Sequence, residues 1–347
     1  MRKRIIIIGL VAVMLTGMVM GLSGCGKKKE TVSQTVDDND RVDIGLSIDS
    51  LVIERWQRER DLFVNKATEL GANVNVQNAN GDVDEQIRQI EYFIDKKMDV
   101  IVIISIDDMA LTDVVARAKK AGIKIIAYDR LIRDANVDLY ISMDNERVGE
   151  LMGEYIRKAI GNSGHIIQIK GSPTDNNVAM VQTGFERVIG KTNISIDYVA
   201  DADNWLAETA FTETSKYLSS GSVPDAIMCG NDNLAAYAIK ALIENRLGGE
   251  VCVVGQDADL EACQRIVEGT QYMTVYKPVE NLAKMSASIA VDMANGIAPD
   301  TEDTIDDGTY TVPYMKLDPI AVTRENMDEV ITGKYHSRSE IYLNVAE

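Results

Sequence analysis

The chain has 347 residues, enough for two domains at roughly 100–200 residues each, and 46% of them are hydrophobic against 26% charged. That mix excludes a disordered or collagen-like chain. With 54 acidic residues against 36 Lys and Arg the net charge is -18, a field that repels a phosphate backbone, so nucleic acid is not expected as a partner.

Met1-Arg2-Lys3-Arg4 is a basic start, and the run from Ile5 to Leu22 is apolar and uncharged. This is the layout of a secretory leader. Its end, Leu22-Ser23-Gly24-Cys25, resembles the lipobox of bacterial lipoproteins, where cleavage leaves a lipidated Cys as the new N-terminus. Residues 1–24 are therefore expected to be a signal peptide and Cys25 the lipidated residue. A retained transmembrane anchor is the alternative, because the run approaches the length of a membrane span. Residues 25–41, polar and without hydrophobic periodicity, read as a tether.

From residue 42 onward, short β-branched apolar runs alternate with amphipathic segments, the signature of parallel α/β architecture. Strands are predicted at 42–47, 74–77, 100–104, 123–128 and 139–143, with helices over 53–70, 83–94 and 111–121 between them. A long helix at 148–160 leads to a second series, with strands at 165–169, 194–199, 226–229, 251–254 and 272–275 and helices at 178–189, 207–218, 235–245 and 260–267. Val100 to Ile104 is apolar throughout, as expected of a strand covered on both faces. Two doubly wound parallel-sheet domains account for the series most simply. The acidic run from Asp300 to Asp307 lacks the alternating ligands of an EF-hand and reads as a solvated loop.

Several kinds of chemistry lack their residues. Besides Cys25 there are three cysteines, Cys229, Cys252 and Cys263, in strand and helix settings that suit buried thiols better than a disulfide framework. His165 and His336 have no Cys or carboxylate at ligand spacing, so a zinc enzyme is not expected. The first strand is followed by no glycine fingerprint, the chain holds no phosphate-binding loop, and no nucleophile elbow or His-containing triad can be assembled. No enzyme activity and no cofactor are expected.

In doubly wound sheets, ligands sit outside the carboxyl ends of the strands. The polar residues there are Asp49, Asp107-Asp108, Asp129-Arg130 and Asp144-Asn145 in the first half, and Asp175-Asn176-Asn177, Asn231-Asp232, Asp257 and Lys277 in the second. Asp and Asn in these places are also ordinary helix N-caps, and both readings stand for Asp144, Asn145, Asp232 and Asp259. Capping does not explain Arg130 or Lys277, since a cation is disfavoured at a helix N-terminus. Carboxylates accept from vicinal hydroxyls, Arg, Lys and Asn donate to hydroxyl and ring oxygens, and an indole covers the C–H face of a sugar ring. Trp56 and Trp205 each lie near a strand's carboxyl end, one in each half, although Trp56 also sits on the apolar stripe of its helix.

Glu54-Arg55-Trp56-Gln57, Ala127-Tyr128-Asp129-Arg130, Asp175-Asn176-Asn177, Gly255-Gln256-Asp257 and Tyr276-Lys277-Pro278 together resemble the D-xylose-binding branch of the type I periplasmic-binding-protein (ribose-binding-like) family. The resemblance covers about residues 42–340. It implies sugar ligation by Arg55, Trp56, Asp129, Arg130, Asp175, Asn177, Trp205, Asn231, Asp257 and Lys277. Ile104 to Asp108 departs from the proline-containing loop more usual in the family. The chain would cross between domains near 144–146, 277–279 and 310–313, giving one domain of 42–144 and 279–310 and another of 145–278 and 311–347. The implied function is that of a monomeric, lipid-anchored protein on the outer face of the cytoplasmic membrane. It would capture D-xylose or a related monosaccharide by hinge closure and deliver it to an ABC transporter permease. The alternative partner is a membrane sensor, a histidine kinase or chemoreceptor, with the same sugar site. A repressor would need a basic DNA-binding head, and a glycosidase suitably placed carboxylates.

Overall fold

The first half runs β1 (Asp43–Ile48), α1 (Glu54–Glu69), β2 (Asn73–Asn78), α2 (Val83–Asp95), β3 (Val100–Ile103), α3 (Thr112–Lys120), β4 (Lys124–Tyr128) and β5 (Leu139–Met143). The second runs α4 (Asn145–Ile160), β6 (Ser163–Lys170), α5 (Asn176–Ile189), β7 (Asn193–Asp201), α6 (Glu208–Ser219), β8 (Ala226–Cys229), α7 (Asp232–Glu244), β9 (Cys252–Gln256), α8 (Leu260–Glu268) and β10 (Met273–Tyr276). After these come α9 (Val279–Ala294), β11 (Thr304–Asp306), β12 (Thr311–Leu317), β13 (Ile320–Val322), α10 (Met327–Val330) and α11 (Arg338–Ile341). This computed structural model describes residues 41–52 and 54–345, so the expected signal peptide, the expected lipidation site Cys25 and all of the expected tether but Arg41 lie outside the described residues.

The strands form two sheets of matching order, β2-β1-β3-β4-β5-β12-β11 and β7-β6-β8-β9-β10-β13. Both are parallel except at one edge, where β11 runs antiparallel to β12 and β13 antiparallel to β10. In each sheet the order reverses beside the first strand, between β1 and β3 and between β6 and β8, and a crevice opens at such a switch point. Helices cover both faces, so the central strands are buried throughout, as at Val100 to Ile103.

α4 and α5 cross with their backbones in contact. A Cβ on Gly149 would lie 1.9 Å from the Val181 carbonyl oxygen, and one on Gly184 would lie 1.8 Å from that of Glu146. This fixes the middle of α5 against the start of α4, beside the first passage between the sheets. Both helices begin earlier than the apolar periodicity predicts, because Asp144 and Asp175 cap them by accepting from the Arg147 and Asn177 amides, each at 3.0 Å.

Three expectations need correction. The third passage between the sheets falls at 318–319 rather than near 310–313: β12 pairs in parallel with β5, from Tyr314 beside Tyr140 to Leu317 beside Met143. Residues 311–317 thus belong to the first sheet, not to the second domain. Residues 279–294, assigned no element from the sequence, form α9, which buries Leu282, Ala283, Ser286, Ala287 and Ala290. The acidic run is not a simple solvated loop either. Asp307, 1% exposed, accepts from the amides of Ala135, Asn136, Thr309 and Tyr310 at 2.7–3.1 Å. Burial alone would raise its pKa, but these donors hold it below the usual carboxylate range. No disulfide joins Cys229, Cys252 and Cys263.

Candidate functional site

All ten side chains expected at the site line one cleft between the carboxyl ends of the two sheets. The first turn of α1 supplies Arg55 and Trp56, and the end of β4 supplies Asp129 and Arg130. From the other sheet come Asp175 and Asn177 at the start of α5, Trp205 in a short turn after β7, Asn231 as the cap of α7, and Asp257 and Lys277 after β9 and β10. The charged and amide members are all buried, and Trp205 is half-buried.

Arg55 is the hub on the first-sheet side. Its Nη2 donates to Asp129 Oδ2 at 2.6 Å, its Nε to Glu59 Oε1 at 2.5 Å, and its Nη1 lies 3.6 Å from Asp257 Oδ1 on the opposite side. Lys277 Nζ is 3.1 Å from the same Asp257 oxygen. Arg130 also crosses the cleft, its Nη1 on Asp49 at 2.7 Å and on the Ser105 carbonyl at 2.9 Å, its Nε on Asp175 at 2.8 Å. Asn177 donates to the Asp129 carbonyl at 2.9 Å while its own Oδ1 accepts from Tyr140 and Asn145, each at 3.0 Å.

Burial opposes the charged forms of both Arg55 and Asp129. The surrounding charges win: Asp129, Glu59 and Asp257 hold Arg55 well above its ordinary range, and Arg55, Lys277 and Arg130 hold Asp129 below its own. For Asp175 and Glu59 burial prevails and pushes both up, with Arg130 and Arg55 offsetting it only in part. Four cations line the cleft (Arg55, Arg130, Lys170, Lys277), and they are paired with six carboxylates (Asp49, Glu59, Asp129, Asp175, Asp201, Asp257), so the site has no surplus positive charge for an anionic ligand. A neutral molecule rich in hydroxyls suits it better, because every such group can both donate and accept.

The Arg55 guanidinium stacks on Trp56 with its carbon 4.3 Å from the ring centre, and that of Arg130 lies 5.7 Å away. Trp56 is 2% exposed and also packs in the core with Ile48 and Phe63, so its packing and cleft roles coexist. Trp205 lies against Gly171, where an added Cβ would come within 2.1–2.4 Å of the ring. The indole N–H groups of Trp56 and Trp205 are buried without a protein acceptor. Left-handed backbone collects here, at Asp129, Asn204, Trp205, Asp257 and Ala258 with φ of 52–102°. Such conformations in non-glycine residues cost on the order of 1–3 kcal/mol each and persist where the surroundings enforce them.

Some site residues escaped the sequence reading. Gly171, Gln182, Met228 and Gln256 also line the cleft. Glu59, four residues beyond Arg55 on α1, also accepts from the Tyr128 hydroxyl. Its i,i+4 spacing was the available signal. Asp107 and Asp108 lie outside the cleft proper, at its lip: the Asp108 amide donates to the Thr174 carbonyl of the other side at 3.0 Å. Among the described residues, no group of three or more His, Cys, Asp or Glu side chains is placed to hold a metal ion.

The model of a periplasmic binding protein domain matches residues 44–298. The chain is 45% identical over 305 residues to the D-xylose-binding periplasmic protein of Haemophilus influenzae and 42% identical over 308 residues to that of Escherichia coli. Each alignment covers 86% of this chain and 92% of the relative. An ABC transporter solute binding protein from Clostridium phytofermentans, solved with bound β-D-glucose, has the same fold, with a TM-score of 0.79 and 28% identity over 86% of this chain and 99% of that one.

Proposed function

Since this chain belongs to the periplasmic binding protein domain family, we propose that it captures D-xylose, or a closely related aldopentose, outside the cytoplasmic membrane and delivers it to an ABC transporter permease. One observation carries this reading: two indoles from opposite sheets converge on a cleft whose polar side chains all suit hydroxyls. The rings would cover the C–H faces of the sugar while Arg55, Asp129, Arg130, Asp175, Asn177, Asn231, Asp257 and Lys277 bond its hydroxyl and ring oxygens. Closure would bring residues 42–144 and 279–317 against 145–278 and 318–345, turning about the three passages between the sheets. The protein would act as a monomer held to the membrane through a lipid on Cys25.

Calorimetry with D-xylose, L-arabinose, D-ribose and D-glucose tests the proposal. The expected result is a D-xylose Kd in the micromolar range or tighter, about -8 kcal/mol or better. Glucose should bind more weakly, because the indoles and the side chains around them leave little room for an added hydroxymethyl group. Absence of D-xylose binding, or equal affinity for glucose, would move the assignment to another carbohydrate.

A further inference from the structure

Asp232 is buried at the start of α7, one residue beyond Asn231, and its side chain turns away from the cleft toward the loop that carries Asp257. Its Oδ2 accepts from the Thr274 hydroxyl at 2.7 Å and from the Asp259 amide at 3.2 Å, and its Oδ1 accepts from Gln271 Nε2 at 2.8 Å. Thr274 in turn accepts from the Ala258 amide at 3.1 Å. Two successive amides of the Asp257-Ala258-Asp259 turn therefore end on the Asp232–Thr274 pair. Two residues of that turn, Asp257 and Ala258, are the ones forced to φ of +102° and +55°.

We propose that Asp232, acting through Thr274, is a positioning residue that holds the Asp257 carboxylate at the angle from which it reads the ligand. The proposal rests on the reading of the cleft as a sugar site. Left to itself, the backbone at Asp257 and Ala258 would leave the left-handed region, because a side chain there crowds the adjoining peptide groups. The amide of Asp257 is fixed to the Val275 carbonyl at 2.9 Å, which secures where the turn begins. The Asp232–Thr274 pair secures the next two residues, and between them these bonds set the direction of the Cα–Cβ bond of Asp257. Gly255 belongs to the same device: a Cβ there would sit 2.3 Å from Asp232 Oδ1, so the glycine of Gly255-Gln256-Asp257 leaves room for this carboxylate beneath β9. Burial pushes Asp232 up to about 7. In either protonation state an oxygen remains to accept from the turn, so the bracing needs no particular charge.

The test compares Thr274→Val, which keeps the strand side chain's shape and removes the hydroxyl, with Thr274→Ser, which restores the hydroxyl. Amide hydrogen exchange and calorimetry with D-xylose, L-arabinose and D-ribose are the readouts, on variants whose circular dichroism matches wild type. Thr274→Val should exchange the Ala258 amide, which loses its acceptor, at least tenfold faster and weaken D-xylose at least tenfold. It should also shift the ratios among the three pentoses in the same direction as Asp257→Ala. Thr274→Ser should recover both protection and ratios to within about threefold. Unchanged protection in Thr274→Val, or a uniform loss across the three sugars, overturns the positioning role. The exchange readout needs no sugar. If wild type fails to bind D-xylose, the functional reading falls while the bracing is still decided by protection.

Discussion

Asp129 and Asp257 occupy equivalent places in the two sheets. Each follows the fourth strand in its sheet's order, each has a left-handed backbone, and each amide donates to the neighbouring strand, to Ile141 at 2.8 Å and to Val275 at 2.9 Å. Arg55 lies between them, 2.6 Å from one carboxylate and 3.6 Å from the other. One guanidinium from the first sheet thus spans two matching strand ends that belong to different sheets.

Asp257→Ala and Trp205→Ala should separate direction from contact area. Removing the carboxylate leaves sugar hydroxyls and Lys277 without their partner, at a cost on the order of 1–3 kcal/mol in D-xylose affinity, and changes the ranking of epimers. Removing the indole loses stacking, roughly 0.5–1.5 kcal/mol beyond buried area, and should weaken xylose, arabinose and ribose together. Titration of both folded variants with the three pentoses decides this. Near-normal xylose affinity in Asp257→Ala would reduce that residue to a structural role.

Gly171→Ala offers the same perturbation without touching an indole. The new methyl would overlap the Trp205 ring, which must tilt away. Pentose affinities should fall in parallel, by an amount close to that of Trp205→Ala, and tryptophan fluorescence should report the displaced ring. Wild-type affinity in this variant would mean that the position of Trp205 is immaterial.

Binding should also respond to pH through Asp108. Burial at the lip pushes this carboxyl up to about 6, with Arg133 opposing and Asp107 and Asp175 reinforcing the shift. Asp175 belongs to the opposite side, so separation of the two sides lets the group return toward its ordinary, lower value. Closing then takes up a proton, and affinity should rise as pH falls through about 6, by a factor of a few for a group this exposed. Calorimetry at pH 5 and pH 7.5 should show the difference in wild type and lose it in Asp108→Asn. Equal slopes in the two proteins would exclude Asp108 as the source.

Asp307 gives the opposite sign, in stability. Its folded pKa is depressed, so its stabilisation is full above the pKa of the unfolded chain and is lost as pH falls through the folded value. Asp307→Ala should cost on the order of 1–3 kcal/mol at pH 7, since the buried Ala135 amide and three part-buried ones lose their acceptor, and the deficit should shrink in acid. Denaturant unfolding at pH 7 and pH 3 measures both. Sugar affinity should stay unchanged, because Asp307 lies outside the cleft.

Cys25→Ala tests the anchor. If the thiol carries the lipid, the variant should leave the membrane fraction and lose metabolic labelling by a radiolabelled fatty acid. A cleaved variant that stays membrane-bound would disprove the lipoprotein assignment.

The residues expected at the site come together in one cleft because the rule that picked them is topological. Parallel strands of one sheet all end on one side, so polar residues after 226–229 and 251–254 share an end, and those after 123–128 meet them because the carboxyl ends of both sheets face one cleft. Helix α9 was passed over although its signal was present, since Val279, Leu282, Ala283, Ser286, Ala287 and Ala290 follow helical spacing. Two features could not be read locally. The pattern of Thr311 to Leu317 suits an edge strand of either sheet, and only its partner, β5, decides. Asp307 looks like one more acid in a charged run, and its burial depends on the Ala135 and Asn136 amides, far away in the chain.

The pairing of β12 with β5 also constrains the order in which the molecule can assemble. A chain synthesised and exported N-terminus first presents β1 to β5 early, but the strand that covers the free edge of β5 arrives only after α4 to β10 and α9 have emerged. Until then β5 offers unpaired N–H and C=O groups, the usual template for mispairing with another copy. The second sheet has five of its six strands in one contiguous stretch and can reach near-completion sooner. Nascent molecules stalled before residue 317 are therefore the ones most exposed to aggregation and most in need of a chaperone.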